Sequence, residues 1–187
     1  MKKWLGMFVS ALEWYDNAAC IALASTVSAL FFPEVDINAR FLFYFSSIAI
    51  GYLGRPLGAF MFGYYSDAHH RVRATYYSLL LMTVANLCIS IVPIYATIGL
   101  AAPIIFVCLR FAQGMAIGGN YGVSIAIVEH ARENKYYASS FSCVGFILGF
   151  LTASALISCM HRVCDMTIFW RIPFLLGSFF LFQYFCS

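Results

Sequence analysis

Charge is what this sequence has least of. Of its 187 residues only 10% are Asp, Glu, Lys or Arg, against about 25% in an ordinary soluble domain, which excludes a water-soluble globular protein. The net charge of +3 is small and scattered, with no basic run beyond Lys2 and Lys3, and that excludes a nucleic-acid-binding surface. The seven cysteines contain no C-x-x-C pair, so neither a zinc site nor thiol redox chemistry is called for. They read as small lipid- or core-facing residues; only Cys159 and Cys164 share an expected loop, whose spacing permits a disulfide without requiring one. No H-E-x-x-H, P-loop or G-x-S-x-G is present, and no nucleophile stands beside a base. Nothing therefore points to an enzyme, a metal, an organic cofactor or ATP-driven transport on this chain.

What is abundant is apolar surface. The chain is 63% hydrophobic and 18% aromatic, with a mean hydropathy of +0.84. Its apolar runs approach the roughly 20 residues needed to cross a bilayer. They are continuous and do not alternate, so an all-α polytopic membrane protein is expected and a transmembrane barrel is not. Cutting the sequence at charges and prolines gives spans near residues 5–32, 41–65, 74–92, 99–128, 138–160 and 172–187. The first is a span and not a signal peptide, because Glu13 and Asp16 interrupt it. The fourth is long enough to tilt or extend beyond the bilayer, and the sixth reaches only about 24 Å. With a cytoplasmic N-terminus, Lys2, Lys3, Arg71, Arg73, Arg132 and Lys135 lie inside and Arg40, Arg162 and Arg171 outside, which obeys the positive-inside rule. The connections are short and leave no room for a soluble catalytic domain.

Polar residues inside such spans cost at least a few kcal/mol each and need a reason. Glu13 and Asp16, at i and i+3, share one helix face about 12 and 16 Å deep if the span begins near Leu5. Neighbouring carboxylates in a low dielectric resist simultaneous ionisation, which suits reversible proton uptake; equally, they can pair with arginines to hold the bundle together. Arg110, about eleven residues into the fourth span, is the natural counter-charge, either for substrate or proton coupling or as a structural ion pair, and Gln113 lies on its face. Gly114, Gly118 and Gly122 form a smooth stripe for close helix packing, and Gly54/Gly58 and Gly145/Gly149 repeat the spacing. Between the second and third spans, Asp67 faces Arg71 and Arg73 across a loop, as a charge-assisted latch or as a solvated turn. His69, His70 and His130 read as solvated loop histidines, with pH sensing as the alternative.

Four blocks in order resemble the major facilitator superfamily, and within it the metabolite:proton symporter group. They are E-W-Y-D at Glu13 to Asp16, the R-P-L-G to R-V-R segment at Arg55 to Arg73, R-F-A-Q-G-M-A-I-G-G-N-Y-G at Arg110 to Gly122, and W-R-I-P-F at Trp170 to Phe174. The resemblance implies two six-helix halves, each of two inverted three-helix repeats, alternately opening a central site; this chain corresponds to the N-terminal half. It implies that Glu13, Asp16, Arg110, Gln113 and Asn120 face the central cavity. It also implies that Arg55, Gly58, Gly63, Asp67, Arg71 and Arg73 belong to a cytoplasmic gating loop partnered by Glu129. Asn120 stands where the group usually has glutamate, and Ser66 and His70 stand where its loop has glycines.

Two functions fit. One is proton-coupled symport of a small metabolite, proline/betaine or a dicarboxylate such as 2-oxoglutarate, across the bacterial inner membrane, with the proton as coupling ion and no cofactor. The other is a truncated, non-transporting remnant, or a half-transporter needing a separate C-terminal half or a second copy. The partners expected are the solute and the lipid bilayer.

Overall fold

The computed structural model describes residues 4–69, 71–130, 135–163 and 169–186, with side chains at 10–69, 73–120, 143–162 and 169–179. Arg71, Gly122 and Glu129 among the expected site residues, together with His70, His130 and Cys164, lie outside the described side chains.

The first apolar run forms two helices in series, α1 (Trp4–Ala22) and α2 (Ala24–Phe31). Leu23 between them has φ −90° and ψ 5°. Its N–H still bonds the Ala19 carbonyl at 3.0 Å, and its own carbonyl accepts from Val27 at 2.9 Å, so the hydrogen-bond ladder runs through the break. The chain then turns at Pro33 to Asp36. There the Arg40 guanidinium donates to the Val35 carbonyl at 2.9 Å and the Pro33 carbonyl at 2.6 Å, closing the turn.

Helix α3 (Ile37–Ala68) carries Pro56 in its interior and is 32 residues long, about 48 Å, so it extends beyond both ends of the expected 41–65 span. After α4 (Arg71–Ile91) comes a single turn, α5 (Tyr95–Ile98), which the sequence did not announce. Gly99 follows with φ +60°, a left-handed conformation that glycine adopts freely. It lets the chain reverse into α6 (Ala101–His130), so that helix begins two residues after the expected boundary. Helices α7 (Lys135–Val163) and α8 (Ile172–Cys186) complete the regular structure, which among the described residues is entirely helical. Among those residues, Arg73–Ile91, Ala101–Asn120 and Cys143–Arg162 are long and apolar enough to cross a membrane.

The helices pack in pairs. Helix α3 lies along α6, α1 along α7, and α4 against both α6 and α8. Small residues permit the first of these contacts. A methyl added at Gly58 would sit 2.7 Å from Met115 Cα, and one added at Gly118 would sit 2.7 Å from Arg55 Cα. Rising numbers on α3 meet rising numbers on α6, so these two helices run parallel. The core between the helices is aromatic. Phe31 rests on Phe106 at 4.8 Å and against the edge of Trp170 at 5.6 Å, all three fully buried. Outward, the bundle shows large apolar side chains such as Leu53, Phe60 and Ile91, which in water would be a liability and in hydrocarbon cost nothing.

Candidate functional site

The polar residues singled out from the sequence converge where α1, α4 and α6 meet. Glu13 and Asp16, one turn apart on α1, are each 4% exposed, and Arg110 on α6 is 5% exposed. The Arg110 Nη1 lies 3.6 Å from Asp16 Oδ2 and donates to Gln113 Oε1 at 2.8 Å. Gln113 Nε2 in turn donates to Asp16 Oδ2 at 3.3 Å and to the Asn86 Oδ1. Two helical turns further along α6, Asn120 Nδ2 donates to Glu13 Oε1. Each carboxylate on α1 thus has its own partner on α6: a cation for Asp16, a neutral amide for Glu13.

Sequence reasoning missed Asn86. It supplies the third wall of this network from α4, and it is 1% exposed. The signal was present, a lone amide within the apolar run L-L-L-M-T-V-A-N-L-C, because an amide in mid-span needs an interhelical partner.

Arg110 is held but not saturated. The Phe106 ring lies 5.0 Å and the Phe174 ring 5.2 Å from its guanidinium carbon, so two aromatic faces share its charge. Its Nε and Nη2 have no hydrogen-bond partner, and neither do Asn86 Nδ2 or Asn120 Oδ1. Arg110, Asp16 and Gln113 line a narrow, partly open cleft together with Asn17, Tyr52 and Arg55. A buried guanidinium with free donors beside a cleft is suited to receive a carboxylate in the bidentate manner.

The R-P-L-G block divides differently from expectation. Arg55 and Gly58 were assigned to the gating loop, yet they lie about 18 and 14 Å along α3 from Asp67, at 1.5 Å per residue. Arg55 lines the cleft, with its guanidinium carbon 4.0 Å above the Tyr52 ring and close enough to Glu13 for a favourable charge interaction. Gly58 is a packing residue against α6. The reason is geometric: α3 is continuous from Ile37 to Ala68, so residues adjacent in the motif are separated along a rigid rod. Gly63 faces open space. Asp67 and Arg73 are both exposed and do not pair with each other; the Arg71 arm of the expected latch lies outside the described side chains. Gly114 and Gly118 pack on Gly51 and Arg55 of α3. Among the described residues no group of three or more His, Cys, Asp or Glu side chains gathers to hold a metal ion.

Comparison with known proteins places this architecture. The shikimate transporter of Escherichia coli is 37% identical over 180 residues, covering 91% of this chain and 41% of that protein. The putative proline/betaine transporter of Staphylococcus aureus is 33% identical over 177 residues, 91% of this chain and 38% of that protein. The proline/betaine transporter of Salmonella typhimurium is 30% identical over 174 residues, 90% of this chain and 35% of that protein. The chain therefore spans about two-fifths or less of the length of these relatives, all of which are named transporters and none an enzyme. No family model matches the chain, and no solved structure does. With similarity running through nine-tenths of its length, the chain is similar to members of the major facilitator superfamily of membrane transporters.

Proposed function

We propose that the chain is the N-terminal six-helix half of a proton-coupled symporter for a small carboxylate-bearing solute, and that Arg110 receives the solute's carboxylate. The observation that carries this is Arg110 itself: a guanidinium buried in a membrane-spanning helix, neutralised on one side by Asp16, with two donors left over beside a cleft. Asp16 and Glu13 supply the groups that can take up the proton. When the solute carboxylate engages Arg110, the Arg110–Asp16 attraction weakens and Asp16 becomes free to accept a proton, which couples the two loads through one shared cation.

The helix pairing supports the inverted-repeat architecture. Taking α1 with α2, then α3, α4, α6, α7 and α8 as successive spans, exchange of the first three for the last three turns the α3–α6 packing into the α7–α1 packing. It leaves the α4–α8 contact on itself. Both long pairings are also lined by glycine, Gly58 and Gly118 in one and Gly149 against Ala11 in the other. In this arrangement the N-terminus is cytoplasmic, the membrane is the bacterial inner membrane, and the second wall of the cleft comes from a separate C-terminal half or a second copy. The solutes named for the relatives, proline/betaine and shikimate, and a dicarboxylate such as 2-oxoglutarate, all carry the carboxylate that Arg110 requires.

The test is uptake of labelled proline, betaine, shikimate and 2-oxoglutarate into proteoliposomes holding this chain, with and without an inward proton gradient. Gradient-dependent accumulation of one of them is expected, and it should disappear in Arg110→Ala. Inserted, helical protein that takes up none of the four would refute transport by this chain alone and favour a half that needs its partner, the reading to which its share of the relatives' length also lends weight.

A further inference from the structure

A second cavity opens at the end of the bundle where α2 ends and α3 and α6 begin. It is an open cavity of about 260 Å³, and it shares no lining residue with the central cleft. Four aromatic side chains line it, Phe31, Phe32, Phe43 and Tyr95, together with the Glu34 carboxylate.

The aromatic walls are fixed before any ligand arrives. Phe31 is wholly buried, braced by Phe106 at 4.8 Å and Trp170 at 5.6 Å. The Phe32 and Phe43 rings pack 5.7 Å apart at 30°. Glu34 is exposed at the cavity, and the Tyr95 hydroxyl is hydrogen-bonded to it, which holds the Tyr95 proton above its ordinary range.

The basic side chain near in sequence is Arg40, and among the described side chains it makes no ion pair with Glu34. Its guanidinium is committed to the carbonyls of Pro33 and Val35, the residues on either side of Glu34. Among the described side chains Glu34 has no ion-pair partner, and Asp36, exposed two residues on, adds to the negative field. The cavity therefore combines the accessible aromatic surfaces of Phe32, Phe43 and Tyr95, whose ring faces carry partial negative charge, with a carboxylate that forms no ion pair.

That combination selects a particular cation. A small inorganic ion gives up its water reluctantly and gains little from aromatic walls, whereas an alkylated ammonium spreads its charge over methyl groups that are themselves buried favourably. We propose that this cavity binds an alkylammonium group, with the cation against the aromatic faces and Glu34 as its counter-charge. The site stands apart from the transport cleft and does not depend on the function proposed for it.

The test uses the full chain in phosphatidylglycerol nanodiscs, with tetramethylammonium chloride as probe and sodium chloride at equal ionic strength as control, reading the midpoint of thermal unfolding. A saturable rise specific to tetramethylammonium is expected. Glu34→Gln should weaken its apparent affinity about tenfold, the equivalent of about 1.4 kcal/mol, and Phe43→Ala should weaken it as well. Glu34 is exposed, so Glu34→Gln should keep the midpoint of the unliganded chain, and for Phe43→Ala, which loses its packing on Phe32, the shift is read against that variant's own unliganded midpoint. Repeating the titration in phosphatidylcholine nanodiscs separates the sources of the group. A shift lost there means that a lipid headgroup occupies the cavity, and a shift retained means a soluble cation; either outcome supports alkylammonium binding. No saturable shift in phosphatidylglycerol, or one untouched by both variants, overturns the proposal and leaves an apolar surface for acyl chains.

Discussion

Substituting alanine for Gly58 tests the interface that holds the cleft together. The added methyl would lie 2.6 Å from the Met115 carbonyl carbon and 2.7 Å from its Cα, whereas carbon atoms rest at about 3.5–4.0 Å. Helices α3 and α6 would have to part by about 1 Å, enough to forfeit a quarter to a half of the dispersion energy of each facing atom pair. Overpacking typically costs about 1–3 kcal/mol, and here the opposing atoms are backbone that cannot rotate away, so about 3 kcal/mol is expected. Gly63→Ala, five residues along the same helix, is the matched control. Nothing lies within 4 Å of its added methyl, so only the helix-propensity gain of about 1 kcal/mol remains. The two substitutions add the same methyl to the same helix with the same propensity gain, so they should differ by the overpacking cost alone, about 3 kcal/mol. Unfolding of the purified chain from mild-detergent micelles by added dodecyl sulfate, followed by far-ultraviolet circular dichroism, measures the difference. Equal midpoints for the two variants would refute the close approach of α3 and α6.

Asp16→Asn leaves Arg110 buried without its counter-charge, a situation that costs about 3–5 kcal/mol, while Asp16→Asn combined with Arg110→Gln should recover much of that loss. A double-mutant cycle in the same unfolding assay gives the coupling, and additive effects would argue against the pair. In transport, Asp16→Asn and Glu13→Gln should reduce proton-driven accumulation more than solute exchange, and equal loss of both would remove these carboxylates from the coupling step. Tyr44→Phe removes a hydroxyl that donates to the Cys20 carbonyl at 2.8 Å in a fully buried position. It should destabilise the chain by about 1 kcal/mol, visible in the same titration.

The similarity explains why a chain with so little charge keeps its few charges in such a costly place. Glu13, Asp16 and Arg110 could be exchanged for apolar residues with little loss of stability, since buried ion pairs rarely beat a good apolar core. Asp16 and Arg110 line the cleft, and a role there is the reading proposed for them. Asn120 fits the same logic: it meets Glu13 with a neutral amide where a second carboxylate would sit against the first, and it thereby spares α6 a like-charge contact.

Composition alone determined that this is a membrane protein, because 63% apolar residues and 10% charged ones leave no way to cover a soluble surface. Intramembrane polarity marked which residues need partners, since a charge in hydrocarbon is costly alone, and Asp16, Arg110 and Gln113 do meet, while Glu13 pairs with Asn120. What the linear order could not supply was the identity of partners across helices. That Asn86 completes the network, that Arg55 belongs to the cleft while its motif neighbour Asp67 stays exposed, and that Asp67 and Arg73 do not latch, depend on how α3, α4 and α6 sit against one another. That placement is decided by side-chain volume at the contacts, by glycine at Gly58, Gly114 and Gly118 above all. A sequence specifies the face of a helix locally, through its 3.6-residue period, but the neighbour that face meets is chosen by packing the whole bundle at once.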